Sequence, residues 1–309
     1  MDHHFVPQFY LRGFRDTKIP TQQGPRVWVA DLKEQTIQLR APKSVAYRVD
    51  YYALPDPAQA QELEKALGRI ESDAAPVVAR LLGGQLDLGD QARAYLANFM
   101  ALLVTRGPFF RDKVEDVSAQ VMERMMMATV RNPARFERSF REANAGKELT
   151  SEHIEATRQR ILASGVEATA RPVVSLLPLV RVANRVLPLL LKMEWAFFVA
   201  GGEMKFLTCD TPLSWVDPTL PPGPLGAGLA MRNVEVTFPV GPRLCLIATW
   251  REGNTGHAQV DDEIVHQINR RRVDFSSRFV FSDSEAGAHR GLEILDSLRG
   301  DDSARTRPE

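Results

Sequence analysis

Apolar and polar side chains alternate in two short runs near the start of the chain. Val27 and Val29 alternate with Trp28 and Ala30, and Ile37 and Leu39 with Gln38, around a polar stretch from Lys33 to Thr36. Period-two alternation broken by a polar turn predicts a β-hairpin. From Pro57 to about Met193 the period becomes helical. Leu63, Leu67, Ile70, Ala74, Val77 and Leu81 form one stripe at three- and four-residue spacing, and Pro76 inside it predicts a kink or a restart. Ala92, Leu96, Phe99, Met100 and Leu103 mark a second helix over about 90–105, stopped by Gly107-Pro108. Phe110, Val114, Val117, Val121 and Met125 share one face of a third, and helical material continues through 131–144, 150–164 and 172–193.

After Glu194 the pattern turns to strands. WAFFVAGGEMKFLTCD reads as a hairpin about Gly201-Gly202, and VEVTFPVGPRLCLIATW as a second about Gly241-Pro242. The Pro/Gly-rich DPTLPPGPLGAGLA between them is a loop, a helix follows at about 261–272, and RFVFS is a short strand. Helices flanked on both sides by strands predict an α+β fold. The expected layout is a single domain over 1–283, with a large helical region over about 57–193. The N-terminal hairpin and the C-terminal antiparallel strands are expected to form one sheet, and 284–309 a disordered tail.

Composition narrows the functional classes. Of 309 residues, 39 are Lys or Arg and 39 are Asp or Glu, so the formal charge is zero and no global electrostatic attraction to nucleic acid or membrane is expected. Nucleic acid is left only local clusters. Arg131, Arg135, Arg138 and Arg141 recur at helical spacing, and Arg270 to Arg272 add another group. Such a stripe is ordinarily a solvated face, here balanced by Glu137 and Glu142. Met125 to Met127 read as core or interface filler. Cys209 and Cys245 cannot form a disulfide framework or a zinc cage alone and read as small core residues of a protein in a reducing compartment. The first residues lack a signal-peptide layout. The apolar stretch from Val173 to Ala200 is interrupted by Arg181, Arg185, Lys192 and Glu194, so no transmembrane segment is expected. These features predict a soluble cytoplasmic protein.

The opening HHFVPQFYLRGF holds the first candidate chemistry. Pro7 suits a first helical position and Gly13 a C-terminal stop, so residues 7–12 form a short helical turn, buried through Phe5, Val6, Phe9, Leu11 and Phe14. That burial pins His3 and His4, which point opposite ways if the segment is extended. One of them is a candidate general base or metal ligand; the structural alternative is a histidine hydrogen-bonded within the packed arm. Glu71 and Arg106 each lie at the edge of a helical apolar stripe, half turned to the core, where an unpaired charge is costly. They are expected to pair, with each other or with a group from the sheet, as a structural ion pair or as the border of a pocket. Asp210 ends a strand just before Thr211-Pro212, where it serves either a site or the backbone of the turn. No metal-ligand spacing, phosphate-binding glycine loop or nucleophile elbow is present. No cofactor is therefore identified, and a divalent metal held by residues from distant segments is the candidate left open.

Several segments together carry a family resemblance. The opening is followed in order by YRVDYYAL, IESDAAPVV, LLVTRGPFFR, KMEWAFFVA with KFLTCDTPLSW, and FPVGPRLCLI, with Asn269 late in the chain. This order resembles the domain of unknown function 4238 family from His3 to Phe281. Cys209 stands where the family more usually has serine, and Gly107 where an Arg-Thr-Pro version has threonine. The resemblance implies a shared fold and shared site residues, with Arg12 and Asn269 as binding candidates, and no activity.

Two functions follow from these residues. The first is a hydrolase, with a phosphodiester as its candidate substrate and His3 or His4 as base or ligand. Glu71 and Asp210 would act as acid, base or ligands, and Arg106 or Arg12 would stabilise an anion. The second is a non-catalytic binding or interaction protein in which the same His/Asp/Glu/Arg cluster is a structural polar core. The first requires the side chains to converge in one pocket.

Overall fold

A computed structural model describes residues 2–49, 51, 56–169, 172–220 and 227–305. The chain opens with the strand β1 (Asp2–His4) and the short helix α1 (Gln8–Arg12). The hairpin β2 (Val27–Asp31) and β3 (Thr36–Arg40) follows as expected, and then β4 (Tyr47–Val49). Helices α2 (Pro57–Leu82), α3 (Asp90–Arg106), α4 (Pro108–Arg131), α5 (Pro133–Ala143), α6 (Ser151–Ser164) and α7 (Pro172–Lys192) fill the middle. The remainder holds β5 (Glu194–Ala200), β6 (Thr208–Cys209), β7 (Ser214–Val216), β8 (Glu235–Gly241), β9 (Leu244–Thr249) and β10 (Gly256–Val260). It closes with α8 (Asp262–Phe275), β11 (Phe279–Ser282) and α9 (Glu285–Arg305). The fold is mixed α+β.

The helix boundaries follow local chemistry. Asp56 caps α2 by accepting from the Ala58 N–H, with Pro57 in the first turn. Pro76 neither ends nor restarts α2. It forfeits one backbone bond, and Ala74, Val77, Val78 and Leu81 around it are all buried, so packing holds the turns together.

The strands form more than the one expected sheet. The N-terminal hairpin does join C-terminal strands, in the order β3-β2-β11-β6, with Phe281 opposite both Val29 and Thr208. A separate five-stranded sheet runs β10-β5-β9-β8-β7, and β1 pairs with β4 alone. β8 and β9 make the hairpin expected about Gly241-Pro242. The hairpin expected about Gly201-Gly202 does not form: β5 pairs with β9 and, in parallel, with β10, while β6 crosses to the other sheet. The two glycines answer a different need. A Cβ at Gly201 would meet the Gln259 side chain at 2.4 Å, and one at Gly202 the Asp262 carboxylate at 2.0 Å. They mark a close approach rather than a turn.

Helix α8 lies between the two large sheets. Val265 and Ile268 pack with Ala200, Phe206, Cys245 and Ile247 of the five-stranded side, and Val273 with Ala30, Leu207, Cys209 and Val280 of the other. Both cysteines are free and buried in these clusters. The segment after Asp283, expected as a tail, is helix α9 as far as Arg305. Its polar residues mask a stripe: Ala288 and Ile294 are buried in the second cluster, and Leu292, Leu295 and Leu298 pack against it.

Contacts divide the chain into two compact units, Met1–Phe110 with Pro178–Glu309, and Arg111–Leu177, where one domain is expected from the sequence. The second unit has its own small core of Val130, Phe136 and Ile154, with Phe140, Leu149, Ile161 and Leu162 packed on it. Asn132 and Thr150 cap α5 and α6. Arg131, Arg135 and Arg138 are exposed, and Arg141 pairs with Glu137. Val117, Val121 and Met125, expected on one face, are all exposed there. Among the described residues no helix is long and apolar enough to cross a membrane.

Candidate functional site

The N-terminal arm is built as an anchor. Pro7 has the extended conformation of an N-cap, φ −60° and ψ 138°, so it precedes the first helical turn instead of starting it. Gly13 ends α1 with φ −64°, and its lack of a side chain serves a close approach: a Cβ there would lie 3.0 Å from Tyr10 O and 3.2 Å from Leu82. Phe5, Val6, Leu11 and Phe14 are buried as expected. Tyr10, which periodicity did not single out, contributes most. Its ring packs on Phe14, Phe99 and Phe238, and its hydroxyl donates to Pro239 O at 2.6 Å and lies 2.7 Å from Thr208 Oγ1.

β1 pairs with β4, placing His3 opposite Arg48 and His4 opposite Tyr47. The Phe5 N–H donates to Ala46 O at 2.9 Å and continues the tie. His3 Nε2 pairs with Glu64 of α2. His4 Nε2 donates to Lys43 O at 3.2 Å, and its ring centre is 5.6 Å from that of Tyr47. Both histidines are thus held by backbone pairing and by specific partners.

They line an open cleft of about 520 Å³ together with Arg12, Glu64, Glu71 and Arg106. Glu64 and Glu71 are seven residues apart, two turns along one face of α2. Gly68 lies between them, and a Cβ there would meet nothing within 4 Å, so the helix surface stays low in the cleft. Arg106, the last residue of α3, pairs with Glu71, and its carbonyl accepts from the Tyr51 hydroxyl at 3.2 Å. Its side chain is 7% exposed against 27% for Glu71, so the carboxylate faces the solvent side of the pair. Arg12 lines the cleft and is exposed, and among the described residues its guanidinium meets no hydrogen-bond or ion-pair partner.

Asp210 does not line the cleft. It is 1% exposed, and its carboxylate accepts backbone N–H groups from Ser277 at 2.8 Å, Arg278 at 2.7 Å and Phe279 at 2.9 Å. Burial pushes its carboxyl up to about 6, while those three donors pull the other way. The group closes the junction of β6 with β11. Asn269 does similar work: fully buried, it accepts from Leu207 N–H at 2.8 Å and donates to Lys205 O at 2.9 Å. The structure therefore brings together His3, His4, Arg12, Glu71 and Arg106, and leaves Asp210 and Asn269 outside. Sequence reasoning missed Glu64, whose signal was its place on the same helical face as Glu71. Burial pushes the Cys209 thiol up to about 12, so it is not poised as a nucleophile. Among the described residues no three His, Cys, Asp or Glu side chains converge closely enough to hold a metal ion.

Fold and site together define an α+β protein whose histidine-bearing N-terminal arm borders a charged cleft. Residues 2–286 match the family described as Protein of unknown function (DUF4238), and the chain belongs to that family. Comparison with curated proteins and with solved structures gave no match.

Proposed function

We propose that the cleft is the active site of a hydrolase acting on a phosphodiester. One observation carries the reading: a histidine–carboxylate pair, His3–Glu64, and a guanidinium–carboxylate pair, Arg106–Glu71, border one cleft together with the guanidinium of Arg12, which has no partner among the described residues. A histidine oriented by a carboxylate is the arrangement that general-base chemistry uses. In this reading His3, held by Glu64, takes the proton of a water that attacks phosphorus. The P–O bond then breaks, and the leaving oxygen takes a proton from His4. Arg106, positioned by Glu71, and Arg12 hold the non-bridging oxygens, where two guanidinium groups match the geometry of a phosphodiester anion. The two free, buried thiols suit a protein working in a reducing cytoplasm.

The test is hydrolysis of bis(p-nitrophenyl) phosphate by the purified full chain, with and without added divalent metal ions. His3→Ala and Glu64→Gln are expected to lower kcat by a factor of about 10²–10⁴, and Arg12→Gln to raise KM, with melting temperatures close to that of the unmodified protein. The reading fails if no phosphodiester is turned over, or if His3→Ala is as active as the unmodified chain. A second reading, a non-catalytic binding or interaction protein with a structural polar cluster, is favoured by one observation: Asp210 and Asn269 spend their polar groups on the backbone. It predicts that His3→Ala and His4→Ala lower the melting temperature and remove no activity.

A further inference from the structure

Helix α4 keeps an apolar face open to solvent. Val117, Val121, Met122, Met125 and Met126 follow one another along it at three- and four-residue spacing, and each is between 43% and 68% exposed. They border an open groove of about 550 Å³. Single apolar side chains on a surface need no explanation, but a contiguous run of five does. The unit that contains this stripe covers the helix from elsewhere: Val130 is buried with Phe136 and Ile154, and Glu123 accepts from the Ala168 N–H at 3.1 Å.

A row of positive charge borders the stripe on one side. Lys113, Arg124 and Arg131 are eleven and then seven residues apart, three turns and two turns of helix, so they share one flank. All three are exposed, and among the described residues their side chains meet no hydrogen-bond or ion-pair partner. The acids of the helix are spent elsewhere, Glu115 on Arg111 and Glu123 on the Ala168 backbone. The face therefore combines adaptable apolar side chains with an uncompensated basic row along one edge.

We propose that this face of α4 docks an amphipathic helix of a partner protein, with apolar residues at three- and four-residue spacing and acidic residues along the flank that meets Lys113, Arg124 and Arg131. Charge decides against the other occupants. A second copy laid antiparallel sets the basic row against itself, and one laid parallel sets Arg124 and Arg131 against the flank of Met122 and Met126, where no acid stands. An anionic membrane surface suits basic residues on both flanks and aromatic or leucine side chains between them; this stripe is valine and methionine, and its other flank carries Glu115. The docking face is independent of the hydrolase reading.

Fluorescence anisotropy with the full chain tests it, using a labelled synthetic helix of about five turns that carries leucines at three- and four-residue spacing and glutamates along one flank. The control is the same peptide with lysines in place of the glutamates. The glutamate peptide is expected to bind at micromolar concentration and at least roughly tenfold more tightly than the lysine peptide, with affinity falling as salt is raised. Met125→Lys, at the most exposed position of the stripe, should abolish binding and leave the melting temperature unchanged. The double variant Arg124→Glu, Arg131→Glu should reverse the preference between the two peptides. Equal binding of both peptides by the unmodified chain, or no binding of the glutamate peptide at ~100 μM, overturns the proposal. So does a dimer in sedimentation velocity that Met125→Lys dissolves, or co-sedimentation with phosphatidylcholine–phosphatidylserine vesicles that Met125→Lys removes.

Discussion

Removing the Tyr10 hydroxyl tests how the N-terminal arm is held. That hydroxyl donates to Pro239 O on β8 and meets Thr208 Oγ1 on β6, so one phenol ties α1 to both large sheets. Burial pushes its pKa well above the ordinary tyrosine range, which keeps the proton in place for donation. Tyr10→Phe keeps the ring, stacked 5.3 Å from Phe238, and leaves Pro239 O without this donor in a site that is 0% exposed at Tyr10. An orphaned buried acceptor costs about 1–3 kcal/mol, and that is the destabilisation expected. Thr208→Val removes only the second contact and should cost about 1 kcal/mol. The double variant should cost less than the sum by at least ~0.5 kcal/mol, because the contact between the two groups can be lost only once. Urea unfolding followed by tryptophan fluorescence is the assay. The four tryptophans, at positions 28, 195, 215 and 250, lie in the unit that contains the arm, so the signal reports on that unit. A Tyr10→Phe variant within 0.5 kcal/mol of the unmodified chain, or strict additivity with Thr208→Val, would refute the anchoring argument.

Asp210 makes a prediction about pH. Its carboxyl titrates near 3.8 in the unfolded chain and at about 6 in the folded one, so the folded state binds the proton more tightly. That stabilisation is complete below the unfolded value and is lost as pH rises through the folded one, with a ceiling of ~3 kcal/mol. Asp210→Asn cannot titrate, so its stability relative to the unmodified chain should improve between pH 4 and pH 7; equal urea midpoint shifts at both values would count against this. Arg272 is fully buried and donates to Thr211 O, Pro212 O, Thr237 O and Thr237 Oγ1, holding the turn after β6 to β8. Arg272→Met should cost on the order of 3 kcal/mol or more, and Arg272→Lys should not rescue it, because one ammonium lacks the planar fork that serves both segments; a lysine variant with an unchanged melting temperature would contradict this. Truncation after Ser284 uncovers Ala30, Leu32 and Val280 and removes the burial of Ile294, worth about 1.5–3 kcal/mol by itself. A sharp fall in melting temperature or loss of soluble protein is expected, whereas removal of a mere tail would leave both unchanged.

What the sequence made legible tracks the range of the forces involved. The hairpin at 27–40, helices α2 and α3, and the β8–β9 turn follow from side chains a few residues apart, and periodicity finds them. Gly201-Gly202 looks like Gly241-Pro242 in one dimension, yet its cause is the approach of Gln259 and Asp262, about sixty residues on. Helix α9 hid for a related reason: its apolar stripe is interleaved with enough charge to read as solvent-facing until the sheet that it covers is in place. The charged cluster divides along the same line. Glu71 and Arg106 sit at the margins of apolar stripes, and His3, His4 and Arg12 flank the apolar residues of the N-terminal turn, positions that already place a polar group at the edge of a core.

Asp210 and Asn269 stand in the same family pattern, but a shared pattern does not separate a group that meets a substrate from one that holds backbone. The separation is visible only in how their polar atoms are satisfied. Asp210 also lies close to the end of α3. Its carbonyl lies 3.2 Å from where a side chain at Gly107 would begin, and Gly107 follows Arg106 directly. The carboxylate closes β6 onto β11, while the backbone carbonyl of the same residue leaves room only for a glycine-sized residue after Arg106. Asp210 lies outside the cleft, with its carboxylate given to the backbone of 277–279 and its carbonyl packed near the end of α3.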